Sequence, residues 1–136
     1  MKKYFIYTLL FLFIFLFKIS KAQISINRIK AEESVSEFMT KKNKDYKAIT
    51  FGELFEQTYP KEISSKLKTK KQIKYSIIHT YMIGGKKVIN SYFHLDDNYV
   101  VIGKLTDEEM TEIMLKQTGN KLDSIMNSII LALPAD

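Results

Sequence analysis

The sequence predicts an α+β fold: an N-terminal helix packed on a curved antiparallel sheet of three to four strands, followed by C-terminal helices. An apolar stripe of helical spacing begins near residue 29, and alternating apolar residues flank Gly84-Gly85 as in a hairpin. Thr106 with Glu109 three residues later then opens a second helical stretch. The strands cluster between helical segments instead of alternating with them, which separates α+β from α/β.

Residues 29–42 read as a helix because Ala31, Val35, Phe38 and Met39, with Ile29 at the edge, fall on one stripe. Glu32, Glu33 and Glu37 face away, and Lys41 and Lys42 in the last turn complement the helix dipole. Asn43-Lys44-Asp45 breaks the pattern, and 46–52 is a short strand. Leu54, Phe55 and Tyr59 fit either a strand or a helical stripe continuing from Phe51, and Pro60 ends both.

Residues 71–83 form the clearest strand, with Ile73, Tyr75, Ile77, Tyr81 and Ile83 on one parity. An odd-length loop puts Ile73, Tyr75 and Ile77 on the same face as Ile89, Phe93 and Leu95, whereas a two-residue loop scatters them. The parity therefore selects a three-residue loop with Gly85 left-handed, and Phe38, Ile77 and Phe93 as core. Asp96-Asp97-Asn98 turns into a strand over 99–103. After Thr106 the stripe Met110, Ile113 and Met114 runs to a stop or kink at Thr118-Gly119-Asn120. A second stripe follows: Leu122, Ile125, Met126, Ile129, Ile130 and Leu133. It reads first as core, with homodimer formation through Leu122, Ile125 and Ile129 as the alternative.

Ahead of the fold, Lys2 and Lys3 precede an uncharged apolar run over 4–17, and Ser20-Lys21-Ala22 places small residues three and one before Gln23. That is the pattern of a secretory signal peptide over 1–22, leaving a single α+β domain over 23–136 in a secreted or periplasmic protein. The alternative is an uncleaved N-terminal membrane anchor, for which the run is shorter than the ~20 residues a span needs. The formal charge is +6 from 21 basic and 15 acidic residues. The leader holds Lys2, Lys3, Lys18 and Lys21, so the remainder has 21 − 4 = 17 bases against 15 acids, or +2. Bulk charge does not support a nucleic-acid binder, and Arg28 is the sole arginine. The absence of cysteine excludes disulfides, thiolate metal sites and a cysteine nucleophile.

The stretches Val35-Ser36-Glu37-Phe38-Met39, Tyr46-Lys47-Ala48-Ile49-Thr50-Phe51-Gly52-Glu53-Leu54, 75–82 and 88–95, ending in Asp96-Asp97-Asn98, resemble in order and spacing small exported bacterial domains of the cystatin-like and NTF2-like type. The resemblance covers about half of the chain. It implies a helix followed by a curved sheet, a fold that often forms a concave pocket and often carries no chemistry. The C-terminal helices fall outside that pattern.

No dinucleotide, P-loop, nucleophile-elbow or zincin spacing is present, so no catalytic residue, cofactor or metal is assigned. Asp96-Asp97-Asn98 offers oxygens, but Val101 stands where an EF-hand needs its glycine. His79 and His94 sit on opposite strand parities and are not expected to share a ligand or a proton. Tyr75, His79, Tyr81 and Phe93 are the candidate pocket or sheet face.

Charge is segregated. From 41 to 87 there are 12 lysines and 4 acids, and from 106 to 136 there are 6 acids and 2 lysines. Lys66, Lys68, Lys70, Lys71 and Lys74 form the candidate polar contact surface, suited to an anionic envelope or extracellular partner. The sequence thus predicts an exported, non-enzymatic binding module. The alternatives are a structural or inhibitory protein-interaction domain and a small pocket enzyme. Cleavage after Ala22 predicts that N-terminal sequencing of the exported protein begins at Gln23; Met1 retained in a membrane fraction would exclude it.

Overall fold

A computed structural model describes residues 26–132, with side chains as far as residue 126. The leader lies outside the described residues. Helix α1 spans 26–42. Strand β1 (Tyr46–Glu56), helix α2 (Pro60–Lys66), strands β2 (Tyr75–Ile83), β3 (Lys87–Leu95) and β4 (Val101–Thr106), and helix α3 (Asp107–Ala132) follow. The strands form one open antiparallel sheet in the order β1-β2-β3-β4. The α+β architecture is the one the sequence predicts.

The central hairpin has the odd loop. Ile83 pairs with Lys87, Ile77 with Phe93 and Tyr75 with Leu95, so the apolar residues of both strands share a face. Gly84 (φ 63°) and Gly85 (φ 67°) are both left-handed, a conformation that glycine enters without steric penalty. Helix α1 covers this face. Ala31, Val35 and Met39 are fully buried against Ile77, Tyr81, Phe93 and Leu95, and Phe38 packs edge-on to Phe93 at 6.2 Å. Ile29 is half exposed and belongs to the rim.

The opposite face is covered as well. Ile63 of α2, Ile73, Leu105 of β4, and Met110 and Ile113 of α3 form a second buried cluster. Ile73 was expected on the same face as Ile77, within the strand. Instead β2 begins at Tyr75, and Ile73 lies in the preceding connection and packs with α2 and α3. Pro60 does end β1's path, but it also opens α2, where its missing N–H costs nothing. Lys68 closes α2 at φ 52°, with Thr69 N–H donating to the Ser64 carbonyl at 3.0 Å. Gly103 lets α2 sit close to β4: a Cβ there would lie 3.0 Å from both Leu67 methyls.

Strand β1 resolves the ambiguity over residues 51–59. It runs through Leu54 and Phe55 to Glu56, with register shifts between Ala48 and Thr50 and between Phe51 and Leu54. Those bulges break the alternation, so the segment shows neither a clean strand nor a clean helix period. Strand β4 starts at Val101, two residues later than expected, because Tyr99 takes φ 63° in the turn that Asp96 organises. The Asp96 carboxylate accepts from the N–H groups of Asn98 and Val100, each at 2.9 Å.

The capping box forms as predicted. The Thr106 hydroxyl accepts from Glu109 N–H at 3.2 Å, and the Glu109 carboxylate accepts from Thr106 N–H at 2.9 Å. The expected stop at Thr118-Gly119-Asn120 does not occur: α3 is one helix of 26 residues. A single glycine lowers helix stability without breaking a helix already nucleated and docked at its start. Among the described residues no helix is long and apolar enough to cross a membrane.

Phe93→Ala is expected to cost roughly 3–5 kcal/mol, because both the sheet and α1 lose contact with the deleted ring. Thr106→Ala is expected to cost about 1 kcal/mol through the lost cap. Urea melts of the two variants check both values, and near-equal midpoints would contradict the packing.

Candidate functional site

The four residues predicted to line a pocket or sheet face are brought together, but that face is filled. His79, Tyr81 and Phe93 are fully buried against neighbouring side chains. The Thr50 carbonyl lies 2.9 Å from His79 Nδ1, so that nitrogen carries the proton. His79 Nε2 then accepts from the Tyr46 hydroxyl at 2.7 Å. The Phe51 ring stacks on the imidazole at 3.9 Å, nearly parallel. Burial holds His79 below the usual histidine range and pushes the Tyr46 phenol above its own. Lys104 reaches in from the edge and donates to the Tyr81 hydroxyl at 2.8 Å, and Tyr81 also meets Ser91 at 3.2 Å. Every polar atom named here has a partner within the chain.

His94 lies on the other face, also fully buried, so the two histidines do not meet. Gln57 donates to the Ser76 hydroxyl oxygen at 2.8 Å, and Ser76 lies 2.7 Å from His94 Nδ1. His94 Nε2 is buried without a hydrogen-bond partner among the described residues. Desolvation lowers the His94 pKa to about 4, so the ring is neutral at pH 7. A buried serine beside a neutral histidine has the composition of a nucleophilic dyad. Ser76 is itself fully buried, however, and neither residue lines either cleft described below.

Among the described residues, two surface clefts stand out. The first, about 530 Å³, lies between α2 and α3 and is lined by Lys61, Lys66, Lys68 and Lys116, with Glu62, Glu112 and Gln117. Lys66 donates to Glu112 at 2.7 Å, and Gln117 donates to Glu62 at 2.8 Å. The ion pair holds the Lys66 pKa above, and that of Glu112 below, its ordinary value. Of the five predicted lysines, only Lys66 and Lys68 reach this cleft. Lys70 and Lys71 sit exposed in the loop beyond α2, and Lys74 lies over the Tyr75 ring at 5.4 Å. Lys61 and Lys116 complete the cationic wall in their place. Nothing in the local sequence marks Lys116, because α3 brings it there from far along the chain.

The second cleft, about 410 Å³, is lined by Asn27, Arg28, Glu53, Leu54, Phe55, Glu56, Tyr75 and Tyr99. Tyr75 and Tyr99 stack at 5.0 Å, 16° from parallel. Arg28 is held by Glu32 at 2.7 Å. Among the described residues no group of three or more His, Asp or Glu side chains is placed to hold a metal ion.

Among the described residues, the three most exposed large apolar side chains are on α3. Leu115 is 68% exposed, Leu122 57%, Ile125 47% and Met126 60%. This corrects the reading of that stripe as core. Among the described residues, the first turns of α3 pack in the second cluster through Met110, Ile113 and Met114, and 118–126 are exposed throughout. Of Ile129 only its place in the helix is described. No protein-family model matches the chain, and no curated protein or solved structure is found to be similar to it.

The buried histidines make stability depend on pH. The His94 pKa is about 4 in the folded chain against about 6.5 in the unfolded one. Between those values the unfolded state binds the extra proton, so stability is complete above pH 6.5 and falls as pH drops toward 4. His79 acts in the same direction. Unfolding free energy is expected to be lower at pH 5 than at pH 7 by about 2 kcal/mol from His94 alone. Urea titrations at both pH values check this, and His94→Asn should remove most of the difference; a flat wild-type profile would refute it.

Proposed function

We propose that the chain is an exported, non-catalytic protein-interaction domain whose contact element is the outer face of α3, docking a helix of another protein. One observation carries this reading: α1 fills the sheet face that a pocket would need, while α3 leaves its own apolar residues outside. A binding module with a ligand in the concave sheet, or a pocket enzyme there, needs that space open. Burying a Leu, Ile or Met side chain gains about 1.5–3 kcal/mol, so four such residues at helical spacing have a strong drive toward a partner. The order of a helix followed by a four-stranded antiparallel meander supports the cystatin-like or NTF2-like reading. The leader pattern supports export into the periplasm or beyond.

A second reading has its own observation. Lys61, Lys66, Lys68 and Lys116 face two carboxylates across the α2–α3 cleft, an arrangement suited to an anionic partner whose binding weakens as salt rises.

The test of the first reading is a photo-reactive residue placed at Leu122 in producing cells. A covalent adduct with a protein is expected, and it should disappear when Met126→Asp is added. No protein adduct at position 122, or an adduct that survives Met126→Asp, would overturn the assignment of α3. A control position on the exposed side of α1, such as Glu33, should stay unlinked.

A further inference from the structure

We infer that the cleft at the start of α1 binds a neutral sugar of one or two pyranose rings, with Tyr99 as the stacking platform. The site is separate from α3 and does not depend on what docks there. Leu54, Tyr75 and Tyr99 pack at the edge of the cluster that α1 buries, and Arg28 belongs to the first turns of that helix. The cleft of about 410 Å³ opens between them, where α1 begins. That volume lies toward the lower end for small-ligand sites, which combine apolar and aromatic walls with a few placed polar groups.

The rings set the platform. Tyr99 takes φ 63°, a conformation that a bulky aromatic residue rarely adopts. The turn imposes it: Tyr99 N–H donates to the Asp96 carbonyl at 3.2 Å, and the Asp96 carboxylate holds the N–H groups of Asn98 and Val100 on either side. The Tyr99 ring is thereby fixed against Tyr75 at 5.0 Å. Tyr75 is already used, because Lys74 Nζ lies over the same ring at 5.4 Å. Among the described residues Tyr99 has no second ring or cation on it, so its other face is open to a ligand. The face of an aromatic ring is apolar and carries partial negative charge. The C–H groups on one side of a pyranose ring match both properties.

The polar walls narrow the class further. Arg28 is oriented before any ligand arrives: Nε donates to Glu32 at 2.7 Å and Nη2 to the Phe51 carbonyl at 3.3 Å, while Nη1 has no partner among the described residues. The Glu53 and Glu56 carboxylates have none either. The cleft thus presents one donor-only group and two acceptor-only groups, and hydroxyls, which donate and accept, satisfy both kinds. An anion would face two carboxylates against one guanidinium, and a cation would meet Arg28 in the wall and Lys74 over Tyr75. A neutral polyhydroxy ring escapes both conflicts, and the fixed ring and guanidinium keep the ordering cost of binding low.

NMR titration of the isotope-labelled chain with maltose, cellobiose and diacetylchitobiose tests the site. At least one of these probes is expected to bind with a dissociation constant of about 0.1–5 mM, shifting Tyr99, Tyr75 and Arg28 and leaving α3 unmoved. Tyr99→Phe keeps the platform and should retain affinity within about threefold. Tyr99→Gly should weaken binding roughly tenfold or more with a dispersed spectrum, because glycine adopts φ 63° without strain. The exposed double variant Glu53→Gln with Glu56→Gln keeps the fold and should also weaken binding. Raising the salt tenfold should leave the affinity unchanged, unlike binding at the lysine cleft. No shift at Tyr99 with any of the three probes at about 20 mM, several times the upper expected constant, would overturn the proposal, as would equal binding by Tyr99→Gly. Tighter binding in this cleft of trilysine or of sucrose octasulfate than of every neutral probe would overturn the assigned class.

Discussion

Ile83 pairs with Lys87 across three turn residues, and that odd spacing decides which side chains share a face throughout the molecule. It places Tyr75, Ile77, His79 and Tyr81 beside Leu95, Phe93, Ser91 and Ile89, and it sends Ser76 and His94 to the other side. A one-residue slip would exchange the two sets and leave α1 facing the polar one. Gly84 and Gly85 make the loop sterically free, but the loop itself stabilises little. The register is held by the packing of α1 onto Tyr81 and Phe93.

A sheet with apolar and polar residues buried on both faces needs two covers. Helix α1 closes one face, and α2 with the start of α3 closes part of the other. His94, whose parity assigns it to the side away from α1, is buried there and neutral. Each histidine has one nitrogen tied to a neighbour, and only His79 has both nitrogens satisfied. The unpaired His94 Nε2 is a local cost of order 1–3 kcal/mol that the surrounding apolar packing offsets.

Much of this was legible where the signal is local. The stripe of α1, the hairpin parity and the Thr106 capping box depend on residues within one or two turns of each other, and all three formed as read. What escaped reading depends on distant partners or on broken periodicity. Helix α2 has a single buried residue, Ile63, in a run dominated by lysine and serine, so its amphipathic period is nearly silent. Strand β1 carries two register shifts that erase alternation. Helix α3 passes through Gly119 because its start is capped and docked, which the local sequence around 118–120 does not reveal. The lysine surface was legible as composition and not as place. Lys70 and Lys71 neighbour Lys68 in sequence, yet Lys61 and Lys116 neighbour it across the cleft.

Helix α3 gathers these constraints. Its capped first turns are fixed by Met110 and Ile113 beneath the sheet, and its middle carries Lys116 and Gln117 along the cleft opposite α2. Beyond that point Leu122 and Met126 are more than half exposed among the described residues. An isolated helical segment of this length is marginal in water, and Gly119 weakens it further. Among the described residues, what sustains the continuation is nucleation by the capped and docked start of the helix. A chain needing α3 only as a lid over α2 would gain nothing from extending it past Gln117.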